Sequence, residues 1–214
     1  MEKFTTLTGF ACPLDATNID TDQIIPKQFL LAVDRKGFGK HLFHVQRWLD
    51  EAETQLNPDF ILNKPEYAGT QILVARRIFG NGSSREHAPW TLLDYGIRVI
   101  IAPSFADIFS NNSFGIGLLL VKLTEDAVDD LMLMLAADPG MTVTVNLVTQ
   151  TCTAKDRTWT FEIDPFSRRC LLEGLDAIGL TLANEALIKA KEVKDAKENA
   201  WIAPHVRDLR ECPV

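Results

Sequence analysis

The sequence predicts an α/β fold: a mostly parallel central sheet with crossover helices, a smaller antiparallel β element and a helical C-terminus. Three observations carry this. Apolar, partly β-branched runs alternate with helix-like segments between residues 71 and 138. Parallel strands need long crossovers, so such alternation is how a parallel sheet is wound. Beyond residue 141 the alternation gives way to Thr-rich β-runs joined by a polar turn, the pattern of an antiparallel hairpin. Finally, 214 residues with 46% hydrophobic and 24% charged side chains suit one large globular domain, or one domain with an appendage.

Taken in order, residues 1–68 read as irregular, with turn residues and short apolar pieces of weak periodicity. Gln71 to Ala75 reads as a buried strand, and a Gly/Ser loop follows at Gly80 to Ser84. A helix is predicted from about Glu86 to Tyr95, stopped by Gly96 just past its end. Ile97 to Ala102 is the next strand, Phe105 to Phe109 a short helix, and Leu118 to Leu123 a third strand. Thr124 is placed to cap a helix running to about Asp138, because Glu125 and Asp126 occupy its first turn and Pro139-Gly140 stops it. Thr142 to Thr153 and Thr158 to Ile163 read as two β-runs around a polar turn at 154–157. From Ser167 the chain reads as mostly helical, with Ala183 to Ala200 a surface helix and Pro204 to Val214 a patternless tail.

Composition also excludes function classes. With 22 Lys and Arg against 29 Asp and Glu, the net charge of −7 supplies no basic footprint for nucleic acid. No apolar signal core opens the chain and no apolar run approaches the ~20 residues of a membrane span. The expectation is a cytoplasmic protein. Cys12, Cys152, Cys170 and Cys212 are scattered, without the tight runs that zinc or iron–sulfur ligation needs.

The most informative stretch is Phe79-Gly80-Asn81-Gly82-Ser83-Ser84-Arg85-Glu86-His87. It lies between a predicted strand and a predicted helix, where α/β sheets place ligands. Arg85 stands where a dinucleotide loop would have its third glycine, and no Gly-x-Ser-x-Gly elbow surrounds Ser83. Two hydroxyls and a guanidinium at a helix N-terminus suit a carboxylate, which the helix amides attract and an arginine fork can grip. The plain alternative is that Ser83-x-x-Glu86 is a capping box that satisfies backbone donors only. In Asn18-Ile19-Asp20-Thr21-Asp22-Gln23-Ile24-Ile25-Pro26 the spaced acids lack the glycine and glutamate of a calcium loop, so a turn with local side-chain bonds is expected. A basic loop, Asp34-Arg35-Lys36-Gly37-Phe38-Gly39-Lys40-His41, is either an anion-recruiting element or a solvated turn. His41, His44 and His205 have no companions at ligand spacing, and His87 is expected to bond locally. Arg168-Arg169 reads as a solvated or interface pair, and Arg76-Arg77 places two charges just ahead of the glycine loop.

Together with Gly82 to Trp90, Ile101 to Phe109 and Cys170 to Thr181, the Asn18 to Pro26 segment resembles the small subunits of isopropylmalate isomerases (3-isopropylmalate dehydratases). These are swivelling domains of the aconitase superfamily, and the resemblance covers about residues 4–185. It implies a three-layer β/β/α swivelling domain in residues 1–185; residues 186–214, outside the resemblance, are read as a C-terminal helical extension and tail. The implied activity is that of a hydro-lyase in leucine biosynthesis, interconverting 2-isopropylmalate and 3-isopropylmalate through 2-isopropylmaleate. It implies no cofactor on this chain, a large-subunit partner carrying a [4Fe–4S] cluster, and an isolated chain that is inactive. In the family pattern the first serine is the base, here Ser83, and Ser84 and Arg85 bind substrate carboxylate. An arginine following the Asp-Thr-Asp segment also binds substrate, with Arg35 the best match. Apolar Phe29, Leu30 and Leu31 would suit an isopropyl group, which separates this reading from maleate, citraconate or homoaconitate hydratases. A non-enzymatic carboxylate-binding domain is the remaining alternative.

Overall fold

The structure, a computed structural model, describes residues 1–30, 36–50 and 52–199. It divides into two compact units, Met1–Leu175 and a second beginning at Asp176. The first is organised by a seven-stranded sheet. Its strands are β1 (Thr6–Leu14), β2 (Ile72–Ala75), β3 (Val99–Ala102), β4 (Leu119–Lys122), β5 (Thr142–Asn146), β6 (Thr151–Ala154) and β7 (Arg157–Thr160). Their spatial order is β4-β3-β2-β1-β5-β6-β7. The β1–β2, β2–β3 and β3–β4 pairs are parallel, and β1–β5, β5–β6 and β6–β7 are antiparallel. The antiparallel element thus continues the parallel one across β1.

That central strand corrects the expectation that residues 1–68 are irregular. Gly9 and Pro13 interrupt β1, and both residues argue against a strand in sequence. The structure tolerates Pro13 because β1 pairs with β5 only through Phe10, so from Ala11 onward β2 is its one strand neighbour. The run from Thr142 to Thr153 is likewise two strands, since Asn146 Oδ1 accepts from the Val148 and Thr149 amides and turns the chain. The short helix expected at 105–109 extends instead from Asp107 to Ile116 (α4).

Both faces of the parallel strands are buried. Ile72, Val74, Val99, Ile101, Leu119 and Val121 face a core completed by Val128, Leu131 and Leu135 of α5 (Glu125–Ala137). The alternate residues Leu73, Ala75, Ile100, Ala102 and Leu120 face a second core with Leu92 of α3 (His87–Tyr95) and Phe109 of α4. Period-two side-chain direction therefore makes three layers from near-continuous apolar runs. The helix ends follow the predicted chemistry. Gly96 ends α3 in the left-handed conformation, and the Thr124 side chain accepts from Ala127 N at the start of α5. Before the sheet's second strand the chain makes α1 (Thr21–Ile24) and α2 (His44–Arg47), and α6 (Pro165–Glu173) closes the first unit.

The second unit holds α7 (Ala177–Leu182) and α8 (Glu185–Glu198). The α8 surface carries i,i+4 pairs, Glu185–Lys189 at 2.7 Å and Lys191–Asp195 among them, which support a helix of low apolar content. Among the described residues no helix is long and apolar enough to cross a membrane.

Candidate active site

The motif segments meet at the carboxyl ends of β1, β2 and β3, where parallel sheets present their loops. Backbone bonds stitch the loop after β1 to the loop after β2. Asn18 N donates to Arg77 O (2.9 Å), Gly80 N to Ile19 O (2.8 Å) and Thr21 N to Asn81 O (2.8 Å). The loop after β3 joins from the other side: Phe79 N donates to Ser104 O (3.1 Å) and Ala106 N to Phe79 O (3.0 Å). The Phe79 ring, fully buried, packs edge-on to Phe109 with centroids 5.4 Å apart. Gly80 is required twice over. Its φ is +80°, and a Cβ there would sit 2.2 Å from Phe109 Cγ.

On this platform Ser83 is half-buried and Ser84 exposed. Ser83 N donates to the buried Thr21 Oγ1 (3.1 Å), which fixes the backbone of the serine pair. Neither serine hydroxyl is hydrogen-bonded among the described residues. Arg85 is largely covered, and its guanidinium pairs with the exposed Asp22 carboxylate. A small cavity of about 250 Å³ lies beside Ser83, lined by Gly80, Asn81, Gly82, Ala106, Asp107 and Ile108.

The capping-box alternative for Ser83 fails. Helix α3 begins at His87, Glu86 occupies the cap position, and no side chain caps it. The box forms instead at Asp20-x-x-Gln23, which sequence reasoning treated only as a turn. Asp20 Oδ1 accepts from Gln23 N (2.7 Å) and Gln23 Oε1 accepts from Asp20 N (3.0 Å). Its signal was present in the sequence, because Asp followed three residues on by Gln is a capping-box spacing. Arg85's partnership with Asp22 was not legible, since it joins residues 63 positions apart.

The other candidates fall as follows. Arg35 lies outside the described residues, so the structure does not place it. Arg76 is held between Asp15 (2.6 Å) and Asp129, whereas Arg77 is exposed. Arg168 is not a solvated charge: it donates to Leu147 O and Val148 O and ties α6 to the β5–β6 turn. His87 packs its ring against Phe38 and Trp90. His41 and His44, which sequence spacing left unrelated, converge on Glu53. Among the described residues no group of three or more His, Cys, Asp or Glu is placed to hold a metal ion. Cys12, Cys152 and Cys170 are separate and buried, and burial pushes the Cys12 and Cys152 thiols up to about 12. Protonated thiols are poor ligands, so these residues do not fit an iron–sulfur cluster.

This arrangement presents hydroxyls, an arginine and an uncapped helix start to an anion. Known proteins share the framework. A family model for the aconitase C-terminal domain matches residues 1–126, which include both zipped loops, and a second, described as LeuD_N, matches residues 129–165. The 3-isopropylmalate dehydratase small subunits of Campylobacter jejuni subsp. doylei and subsp. jejuni are each 57% identical over 192 residues. Each alignment covers 90% of this chain and 96% of the relative. The chain belongs to the 3-isopropylmalate dehydratase small-subunit family. A crystal structure of 3-isopropylmalate dehydratase (LeuD) from Methanocaldococcus jannaschii matches with a TM-score of 0.63 at 26% identity. That match covers 87% of this chain and 99% of the other. The mixed sheet with helices on its faces is therefore the family's fold, as the sequence predicted.

Proposed function

We propose that this chain is the small subunit of an isopropylmalate isomerase. It would interconvert 2-isopropylmalate and 3-isopropylmalate by dehydration to 2-isopropylmaleate and rehydration, as a step of leucine biosynthesis. The observation that carries this reading is 57% identity along 90% of the chain to small subunits of that name. The Gly80 to Glu86 loop, built on three strand ends and open to a ligand, supports it from the geometry. Residues 1–185 are assigned to the swivelling domain, and residues 186–214 to an extension without a catalytic role. The [4Fe–4S] cluster is assigned to a large-subunit partner, because this chain's described residues do not fit one. The complex is assigned to the cytoplasm.

In this reading Ser83 takes the proton next to a substrate carboxylate, while Ser84, Arg85 and Arg35 hold carboxylate oxygens. Removing that proton builds negative charge, which Arg85 and the start of α3 are positioned to stabilise. The energetics also call for a partner. Bringing a serine hydroxyl down by about six pKa units requires on the order of 8 kcal/mol. A helix terminus supplies about 0.3–1 kcal/mol. The balance has to come from dry burial beside Arg85 under the large subunit, since screening by water weakens every such interaction. Asp22 occupies Arg85 in this structure, so the substrate carboxylate would share or replace that contact.

The test is reconstitution with a cluster-loaded large subunit, followed by chromatography of the acids after adding 3-isopropylmalate. Appearance of 2-isopropylmalate supports the proposal. Turnover of maleate or citraconate in preference to isopropylmalate would overturn the substrate assignment.

A further inference from the structure

A cluster of titratable side chains lies outside the motif loops and has no part in the chemistry above. His41 Nδ1 stands 2.5 Å from Glu53 Oε1, and His44 Nε2 stands 3.3 Å from the same oxygen. The side chains are 14%, 6% and 21% exposed for His41, His44 and Glu53. A carboxylate oxygen only accepts, so His41 donates from Nδ1, whereas His44 Nε2 is buried beside the same oxygen without a hydrogen bond to it. Phe29 stacks on His41, with centroids 3.8 Å apart and planes 12° from parallel, and also touches His44 at 4.8 Å.

Glu53 is held there at a conformational cost. Its φ is +58°, a left-handed conformation that disfavours side-chain-bearing residues by about 1–2 kcal/mol. The surrounding turn enforces it. The Asp50 carboxylate accepts from Thr54 N (3.0 Å), Thr54 Oγ1 (2.5 Å) and Gln55 N (2.8 Å), and Asp50 O accepts from Glu53 N (3.3 Å). Strain that is over-determined by its surroundings points to a use for the strained residue.

A route leads from this cluster to the site. His41 ends a 3₁₀ turn, Gly39–His41, that lies along α3. Gly39 N donates to Asp94 Oδ2 (2.7 Å), and a Cβ at Gly39 would come within 2.6 Å of Tyr95 N. At the other end of α3 the buried Phe38 ring meets His87 edge-on, with centroids 5.4 Å apart. His87 is two residues from Arg85. Phe43 N also donates to Ile24 O (2.9 Å) and ties the same segment to α1, whose Asp22 pairs with Arg85.

We propose that Glu53 is a positioning residue for the reaction: by holding His41 beside His44 it fixes residues 38–43 between α1 and α3, and so sets where Arg85 stands. This rests on the assignment of Arg85 to substrate binding. Small misplacements of a binding group are costly, because productive geometry tolerates little error. Lys40 adjoins His41, and Arg47 of α2 turns away toward the Tyr95 ring (5.0 Å) and Asn63 Oδ1 (3.1 Å), so Glu53 is the acid that faces the imidazoles.

The experiment is a double-mutant cycle on the reconstituted complex, with Glu53→Gln and Arg85→Lys made singly and together. We expect Glu53→Gln to raise KM for 3-isopropylmalate about tenfold and to change kcat much less. In the Arg85→Lys background the further rise should shrink to less than twofold, because the two residues act as one unit. Full additivity, or an unchanged KM for Glu53→Gln, overturns the proposal. Should Glu53→Gln fail to assemble, His41→Asn is put through the same cycle and judged by the same criterion. A wild-type complex without turnover would instead sink the reading of the site on which the proposal depends.

Discussion

Gly80 decides whether the Gly80 to Glu86 loop is built, and the proposed chemistry rests on Ser83 and Arg85. Gly80 combines a positive φ with contact against Phe109, so Gly80→Ala should destabilise the fold by about 2 kcal/mol or more. Thermal unfolding of the variant measures this. Ser83 lies half-buried, with only its backbone tied to Thr21. Ser83→Ala is therefore expected to leave folding and subunit assembly intact while abolishing turnover. Arg85→Lys keeps the charge but loses the planar fork, and should raise KM and lower kcat together. At this scale the sequence was legible where composition is special. Two glycines, two serines and an arginine between a strand and a helix marked the loop. The capping-box alternative could be rejected only once the helix was seen to start at His87.

Among the elements, α3 and α5 were readable because their ends carry local chemistry: Gly96 at one, Thr124 at the other. β1 was not readable, because its Gly9 and Pro13 are tolerated for a tertiary reason, the limited pairing of its second half. The α1 capping box makes a measurable claim. Asp20→Ala removes one member of a reciprocal pair beside Asn81 and should cost about 1 kcal/mol. The Asp50 turn gives a pH dependence. The Thr54 hydroxyl, and then the Gln55 amide, hold the Asp50 carboxyl below its ordinary value. Its stabilisation is present above the unfolded-state value and is lost as pH falls through the lower folded one. Asp50→Asn should flatten that acid limb of a melting-temperature profile. His41 acts at higher pH. Burial lowers it more than Glu53 raises it, so its contribution is present above about 6.5 and declines as pH falls below that. The His41–Glu53–His44 meeting was invisible in sequence because it depends on a strained turn at residue 53.

For the whole molecule, the sheet carries a core on each face, and the stitched loops stand at the carboxyl ends of the parallel strands. Near-continuous apolar runs alternating with helix-like segments made the parallel half of this legible in sequence, whereas its joining to the antiparallel half through β1 was not. The Ser83 hydroxyl is half-buried and the Ser84 hydroxyl exposed, and no residues described in this chain fit a metal cluster. We propose that this chain supplies the base and the carboxylate grip of an isomerase whose site is completed by a second subunit. The most direct test is absorbance at the isopropylmaleate band after adding 3-isopropylmalate to four samples. These are the chain alone, the cluster-loaded large subunit alone, their mixture, and the mixture made with Ser83→Ala. A signal is expected from the wild-type mixture only, with Ser83→Ala still co-eluting with the large subunit. Turnover by the Ser83→Ala mixture at the wild-type rate would contradict it.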